Sequence, residues 1–245
     1  ARANPSLSTT ATNTVIKCNR SIYYSIFCNS YLVIWLIILF SIIPNNVLTG
    51  YTSTSFIKLR GEQKMSRITT VTDDIANIEQ TELFTAIKSK LGIVPNFLRI
   101  FANSPDALTA FLGFYHIAGN GSLDAATRER IALTLAQKNE CGYCLSAHTA
   151  IGSKAGLNKA EINSNRSGDS QDAKAAVAVK FARSLVDHMG EVTTGEIQEL
   201  HDAGFTDADI VEIITHTGIN ILTNILSKAS RVEIDFPRVD LNQAA

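Results

Sequence analysis

Residues 104–156 read SPDALTAFLGFYHIAGNGSLDAATRERIALTLAQKNECGYCLSAHTAIGSKAG, and this stretch decides the fold. Ser104-Pro105-Asp106 is a helix start, with an N-cap serine and proline at the first helical position. Leu108, Phe111, Leu112 and Tyr115 then recur at helical spacing until Gly119-Asn-Gly121. Ser122 or Asp124 caps a second helix that runs to about Asn139, and a third begins around Glu140-Cys141 and ends near Gly156. The same punctuation continues outward. One helix is expected from Asn77 to Leu91, closing at Gly92 with Pro95 beyond, and a short one at about 158–164. Gly168-Asp-Ser170 is a loop. Residues 173–189 place Ala178, Phe181, Ala182, Leu185 and Met189 on one stripe. Thr193 or Thr194 caps a helix ending at Ala203-Gly204, and Thr206 caps a long one to about Ala229. On that last helix Ile210, Ile213, Ile214, Thr217, Ile221 and Ile225 share a face. Val211, Ile219, Leu222 and Leu226 extend the face, leaving Glu212, His216, Asn220 and Thr223 as a polar strip. A helix this apolar is either a central core helix or a subunit interface. No strand-like alternation of useful length occurs, so the fold class is all-α.

Composition divides the chain. Over 245 residues the apolar fraction is 45%, the charged fraction 18% and the formal net charge −1, which are globular values that argue against a general polyanion binder such as a nucleic-acid protein. The balance is uneven, however. Residues 1–64 hold six Lys/Arg and one acid, Glu62, whereas the remainder carries a net charge of −6. Residues 1–64 also contain one apolar run, Tyr31–Ile43, short of the roughly 20 residues needed to cross a bilayer as a helix. There is no Met before Met65, and Arg60-Gly-Glu-Gln-Lys-Met65 back-translates to a purine-rich ribosome-binding site ahead of a start codon. Residues 1–64 are therefore expected to be a non-native or untranslated extension, the alternative being a hydrophobic anchor or targeting segment. Residues 65–245 are expected to form one domain in the cytoplasm, with no membrane partner.

The chemistry gathers in Glu129–His148. Cys141 and Cys144 are three apart, hence neighbours on one helix face, in a first turn whose free N–H groups and dipole favour a thiolate. His148 lies one further turn along the same face and can take or give a proton. Glu129 has apolar neighbours at every helical contact position (Ala125, Ala126, Ala132, Leu133). It therefore sits on a core-facing stripe, where burial is expected to raise its pKa toward neutrality. Tyr143, between the cysteines, reads either as a packed aromatic or as a hydrogen-bond donor to the site. His116, near the end of its apolar helix, either packs or lines the site. His188 and His201 read as surface residues. His216 reads as locally hydrogen-bonded beside Glu212 and Asn220. The four-residue set points to redox catalysis by a dithiol with a proton relay. Zinc held by Cys141, Cys144, His148 and Glu129, or two inert cysteines, are the weaker readings, so no metal is expected. No phosphate-cradling motif is present, which gives no indication of a nicotinamide or flavin cofactor.

The pattern E-x11-C-x2-C-x3-H, here Glu129, Cys141, Cys144 and His148, resembles the core motif of the alkylhydroperoxidase D (AhpD)-like, carboxymuconolactone decarboxylase superfamily. The resemblance extends through Gly92-Ile-Val-Pro-Asn96, Ala102-Asn-Ser-Pro105, Cys144–Gly152, Ala203-Gly-Phe205, Asn224 and Glu233-Ile-Asp-Phe-Pro237, and leaves residues 1–64 untouched. It implies an all-helical homo-oligomer, commonly a trimer or hexamer, with thiol peroxidase activity. Under it Cys144 is the attacking thiol, Cys141 resolves the sulfenic acid to a disulfide, and Glu129 and His148 relay protons. An external dithiol, lipoyl-type or thioredoxin-like, then restores the thiols without any bound cofactor. The best-studied branch has histidine directly before the second cysteine where this chain has Tyr143, which sets the relay and its reductant apart. The remaining alternatives are a non-redox decarboxylase or isomerase using Glu129 and His148 on a carbon acid, and a non-enzymatic redox sensor.

Overall fold

The computed structural model describes residues 66–241. The expected boundary at Met65 and the reading of residues 1–64 lie outside the described residues. Among the described residues the regular elements are all helices: α1 Ile78–Leu91, α2 Asn96–Phe101, α3 Pro105–Ala118, α4 Ala125–Lys138, α5 Gly142–Lys154, α6 Lys159–Arg166, α7 Ala173–Asp187, α8 Thr194–Asp202 and α9 Asp207–Ser230.

Side-chain caps fix most of the starts. Asn77, Ser104, Asp124, Asn158, Asp172, Thr193 and Thr206 each accept a hydrogen bond from a first-turn N–H, and Asn77, Thr193 and Thr206 complete capping boxes. Such caps each stabilise a helix by about 1 kcal/mol. The exception is α2, which follows Pro95 without a side-chain cap and was not foreseen. Its six residues are too few to show a helical period. The stripe expected over 173–189 stops short of Met189. α7 ends at Asp187, Met189 turns to φ +52° and its side chain is 89% exposed. The N–H of Gly190 then bonds the carbonyl of Leu185 and closes the helix end.

The core is built around α4, which packs against α5, α6, α7 and α9. Ile131, Ala132, Leu133, Leu135 and Ala136 are all buried, so the helix is covered on every side. It also carries polar groups inward, each with a partner. Thr134 donates to the carbonyl of Asn165 at 2.7 Å, and Arg130 pairs with buried Glu161 at 2.7 Å. α9 is more peripheral. Ile210, Ile213 and Ile219 are buried, while Val211, Ile214, Leu222 and Ile225 form an exposed apolar stripe. The helix is thus half core and half open face.

Two features place the site. Glu140 adopts the left-handed conformation (φ +52°), which reverses the chain within the three residues between α4 and α5. The N–H of Cys141 then bonds the carbonyl of Ala136 at 2.9 Å, so α5 folds back along α4. Farther along, Gly152 permits close approach. A Cβ there would stand 3.2 Å from Leu157 Cδ1 and 3.7 Å from the Cβ of Glu129. Beyond α9 the chain runs through Val232–Leu241 across the start of α5, where the N–H of Val239 donates to Ser146 Oγ at 3.0 Å.

Candidate active site

The α4–α5 hairpin brings the four motif residues together. Cys141 is the N-cap of α5, and its Sγ accepts from the N–H of Cys144 at 3.3 Å. Both cysteines are free and buried. His148 lies one turn beyond Cys144, and its Nδ1 meets Glu129 Oε2 at 2.8 Å. Glu129 is 7% exposed, on the inward stripe its apolar neighbours require.

This geometry divides the two thiols. The hydrogen bond from Cys141 pulls the Cys144 thiol down to about 6, against burial, with the positive charge of His148 and the neutral polar side chains of Ser227 and Asn224 assisting. The same contact with Cys144, together with burial, pushes Cys141 far up. Burial by itself would lower the pKa of His148, but the charge and hydrogen bond of Glu129 outweigh it and raise it, and Cys144 adds to the rise. The resting arrangement therefore favours a thiolate on Cys144, a thiol on Cys141 and an imidazolium on His148.

Tyr143 is buried, and its ring stands edge-on to Phe236 with centroids 5.7 Å apart. Its hydroxyl donates its single proton to Asp235 Oδ1 at 2.8 Å and accepts from the N–H of Phe97 at 3.3 Å. The other oxygen of Asp235 accepts from the N–H of Asn96 at 2.7 Å. The phenol is thus a clasp joining α5, α2 and the C-terminal segment, and its proton does not point at the sulfur. Tyr143→Phe is expected to cost about 1 kcal/mol in urea unfolding. It is also expected to leave the rate of Cys144 alkylation by iodoacetamide within about threefold.

Cys144, His148 and Tyr143 open on a cavity of about 490 Å³ whose walls include Phe97, Phe111, Tyr115 and Phe236. His116 also lines it. His188 and His201 lie at the surface. His216 corrects the local reading. Its ring bonds the carbonyl of Ala118 at 3.2 Å, Glu212 is occupied by the N–H groups of Ser122 and Leu123, and Asn220 reaches only the backbone of His216. Among the described residues no group of three or more His, Cys, Asp or Glu side chains converges as a metal site. The Glu129 carboxylate is engaged by His148 instead of the sulfurs.

Motif reading missed Ser227, whose Oγ lies 3.7 Å from Cys144 Sγ, and missed the part played by Asn224 beside it. Their signal is the three-residue spacing of Asn224 and Ser227 on one face of an otherwise apolar helix.

Comparison with known proteins bears on the same residues. Residues 105–184, which contain all four motif residues, match the carboxymuconolactone decarboxylase family. A peroxidase-related protein from Silicibacter sp. TM1040 is similar at 28% identity and a TM-score of 0.63, covering 71% of this chain and 95% of its own. Over residues 105–184 the chain is thus similar to the carboxymuconolactone decarboxylase family. Two further solved structures share the fold at lower identity. A protein with an alkylhydroperoxidase AhpD core from Ralstonia eutropha JMP134 is 21% identical, with a TM-score of 0.64, covering 71% of this chain and 94% of its own. The debrominase Bmp8, in complex with 2,3,4-tribromopyrrole, is 19% identical, with a TM-score of 0.57, covering 69% and 94%. No curated protein matches the chain.

Proposed function

We propose that residues 65–245 form a cytoplasmic thiol peroxidase that reduces organic hydroperoxides. The observation that carries this reading is the unequal thiol pair. Cys144, with its lowered proton affinity, opens on the apolar cavity, while Cys141 waits protonated three residues away. The Cys144 thiolate attacks the outer oxygen of ROOH, the O–O bond breaks, and the alkoxide takes a proton from His148 to leave as ROH. Cys144 is then a sulfenic acid. The Cys141 sulfur displaces its oxygen as water and forms the Cys141–Cys144 disulfide. An external dithiol, lipoyl-type or thioredoxin-like, returns both thiols and is itself oxidised. No bound cofactor takes part. A cellular compartment that keeps thiols reduced suits this cycle.

The aromatic walls favour organic hydroperoxides over hydrogen peroxide, because an apolar ligand gains from burial there. They also favour a second reading, a halogenated aromatic ring as substrate. In that case the aryl halide and the dithiol become the arene, halide, a proton and the disulfide. The exposed stripe Val211, Ile214, Leu222 and Ile225 on α9 is the face we assign to a homotrimer or homohexamer, since contiguous apolar surface of this kind is characteristic of interfaces.

The test is consumption of cumene hydroperoxide and of a brominated pyrrole, with dithiothreitol, dihydrolipoamide and reduced thioredoxin as donors. Turnover of the hydroperoxide with at least one donor is expected. Debromination without peroxide turnover would select the second reading, and turnover of neither would leave a redox sensor.

A further inference from the structure

Asn224 stands in α9 beside the cysteine pair, 2% exposed. Its Oδ1 accepts from Asn139 Nδ2 at 2.9 Å. Asn139 is itself fixed as the C-cap of α4, with its carbonyl accepting from Lys228 Nζ at 2.7 Å. The amide of Asn224 is therefore oriented, with its carbonyl toward Asn139 and its NH₂ turned away. That NH₂ is buried and makes no hydrogen bond. A buried donor without a partner is uncommon and calls for a reason. One turn on, Ser227 is 4% exposed, with its hydroxyl 3.7 Å from Cys144 Sγ.

We infer that Asn224 and Ser227 form a two-donor cradle for negative charge on Cys144, with Asn139 holding the Asn224 amide in position. The inference rests on Cys144 being the reacting thiol. In the neutral state the Cys144 S–H donates to Ser227 and the Asn224 NH₂ is idle. When the sulfur is a thiolate, the Ser227 hydroxyl turns to donate and the NH₂ gains an acceptor, so both bonds are stronger in the charged state. An idle donor is then a feature of the protonated form alone. The direction of the proton affinity agrees, since both side chains lower it. The ionisable groups bearing on this sulfur are Cys141 at the N-cap of α5 and Tyr143 and His148 within it, with Glu129 of α4 acting through His148. The α9 pair supplies neutral donors opposite them, and these need no proton of their own to work. The catalytic hairpin alone therefore does not complete the site, because the third wall comes from residues 80 or more positions downstream.

The test reads the thiolate without peroxide. Cys144 alkylation by iodoacetamide is followed by mass spectrometry from pH 4 to 10 in wild type, Ser227→Ala, Asn224→Leu and Asn139→Ala. The wild-type midpoint is expected near 6. Ser227→Ala and Asn224→Leu should each raise it by about one unit, so the thiolate fraction on the acid side falls about tenfold. The plateau rate above the midpoint should rise about threefold, because a more basic thiolate is more nucleophilic. Asn139→Ala should give a smaller shift in the same direction. A role in packing alone would lower thermal stability and leave the midpoint in place. Unmoved midpoints in folded variants would overturn the cradle while leaving the peroxidase reading intact. A wild-type midpoint at the ordinary value of about 8.5 would overturn both. If Asn224→Leu does not fold, Ser227→Ala and Asn139→Ala decide, and no shift in either overturns the cradle.

Discussion

Cys144→Ser is expected to lose peroxide-dependent turnover by on the order of 10⁴-fold or more, the scale on which enzymes lose rate without their nucleophile. The expectation follows from the asymmetry of the pair. The Cys141 thiol is held protonated by Cys144 and by burial, so it cannot stand in as the attacking group. Cys141→Ser should behave differently. Cys144 keeps His148 and Ser227 and still attacks, giving one equivalent of alcohol. The sulfenic acid then has no resolving thiol, and it accumulates or passes on to the sulfinic acid. Stopped-flow measurement of one rapid turnover, with dimedone trapping of Cys144, checks this. The same two variants separate the alternatives. A decarboxylase or isomerase working through Glu129 and His148 keeps most of its rate in Cys144→Ser, since it uses no sulfur. A sensor shows no multiple turnover even as wild type, although peroxide still closes its disulfide. Full activity of Cys144→Ser with a hydroperoxide would end the thiol mechanism.

What the sequence revealed and what it hid have one physical origin. Helix starts were legible wherever a short polar side chain satisfies first-turn N–H groups, as at Asn77, Ser104 and Thr206. α2 was hidden because it follows Pro95 with no side-chain cap and is only six residues long. The motif was legible because Glu129 and the cysteine pair sit on consecutive antiparallel helices, where local spacing nearly determines proximity. Asn224, Ser227 and Asp235 reach the site only through tertiary packing, so no local spacing ties them to it. Tyr143 shows the limit of reading a residue between two cysteines. Its position suggests chemistry, but the commitment of its one proton to Asp235 92 residues away is a fact of the fold. α9 resisted a single assignment because its two sides differ, with Ile213 in the core and Ile225 on an open face.

Glu129→Gln is expected to lower kcat/KM at pH 7 by about 10²–10³-fold, the range of proton-relay losses. Glu129 touches His148 and not the sulfur, so it acts as a positioning and charge-setting residue, and the pH profile is the decisive readout. In wild type Glu129 raises the proton affinity of His148 against burial, and charged His148 in turn helps to lower that of Cys144. Removing the carboxylate's charge reverses both. His148 then follows its burial downward and Cys144 moves upward. The acid limb of the rate profile, where Cys144 gains its proton, should shift to higher pH. The alkaline limb, where His148 loses its proton, should shift to lower pH. The bell narrows from both sides, with the apparent values belonging to the coupled pair. Stability carries the same signature. His148 has a raised folded-state pKa, so its pairing with Glu129 contributes fully below the ordinary imidazole value of about 6.5 and is lost as pH rises through the raised value. The stability gap between wild type and Glu129→Gln in urea unfolding should therefore be larger at pH 6 than at pH 9. A uniform drop in rate with both limbs unmoved would mean that Glu129 only packs the hairpin and that no charge passes along the Glu129–His148–Cys144 line.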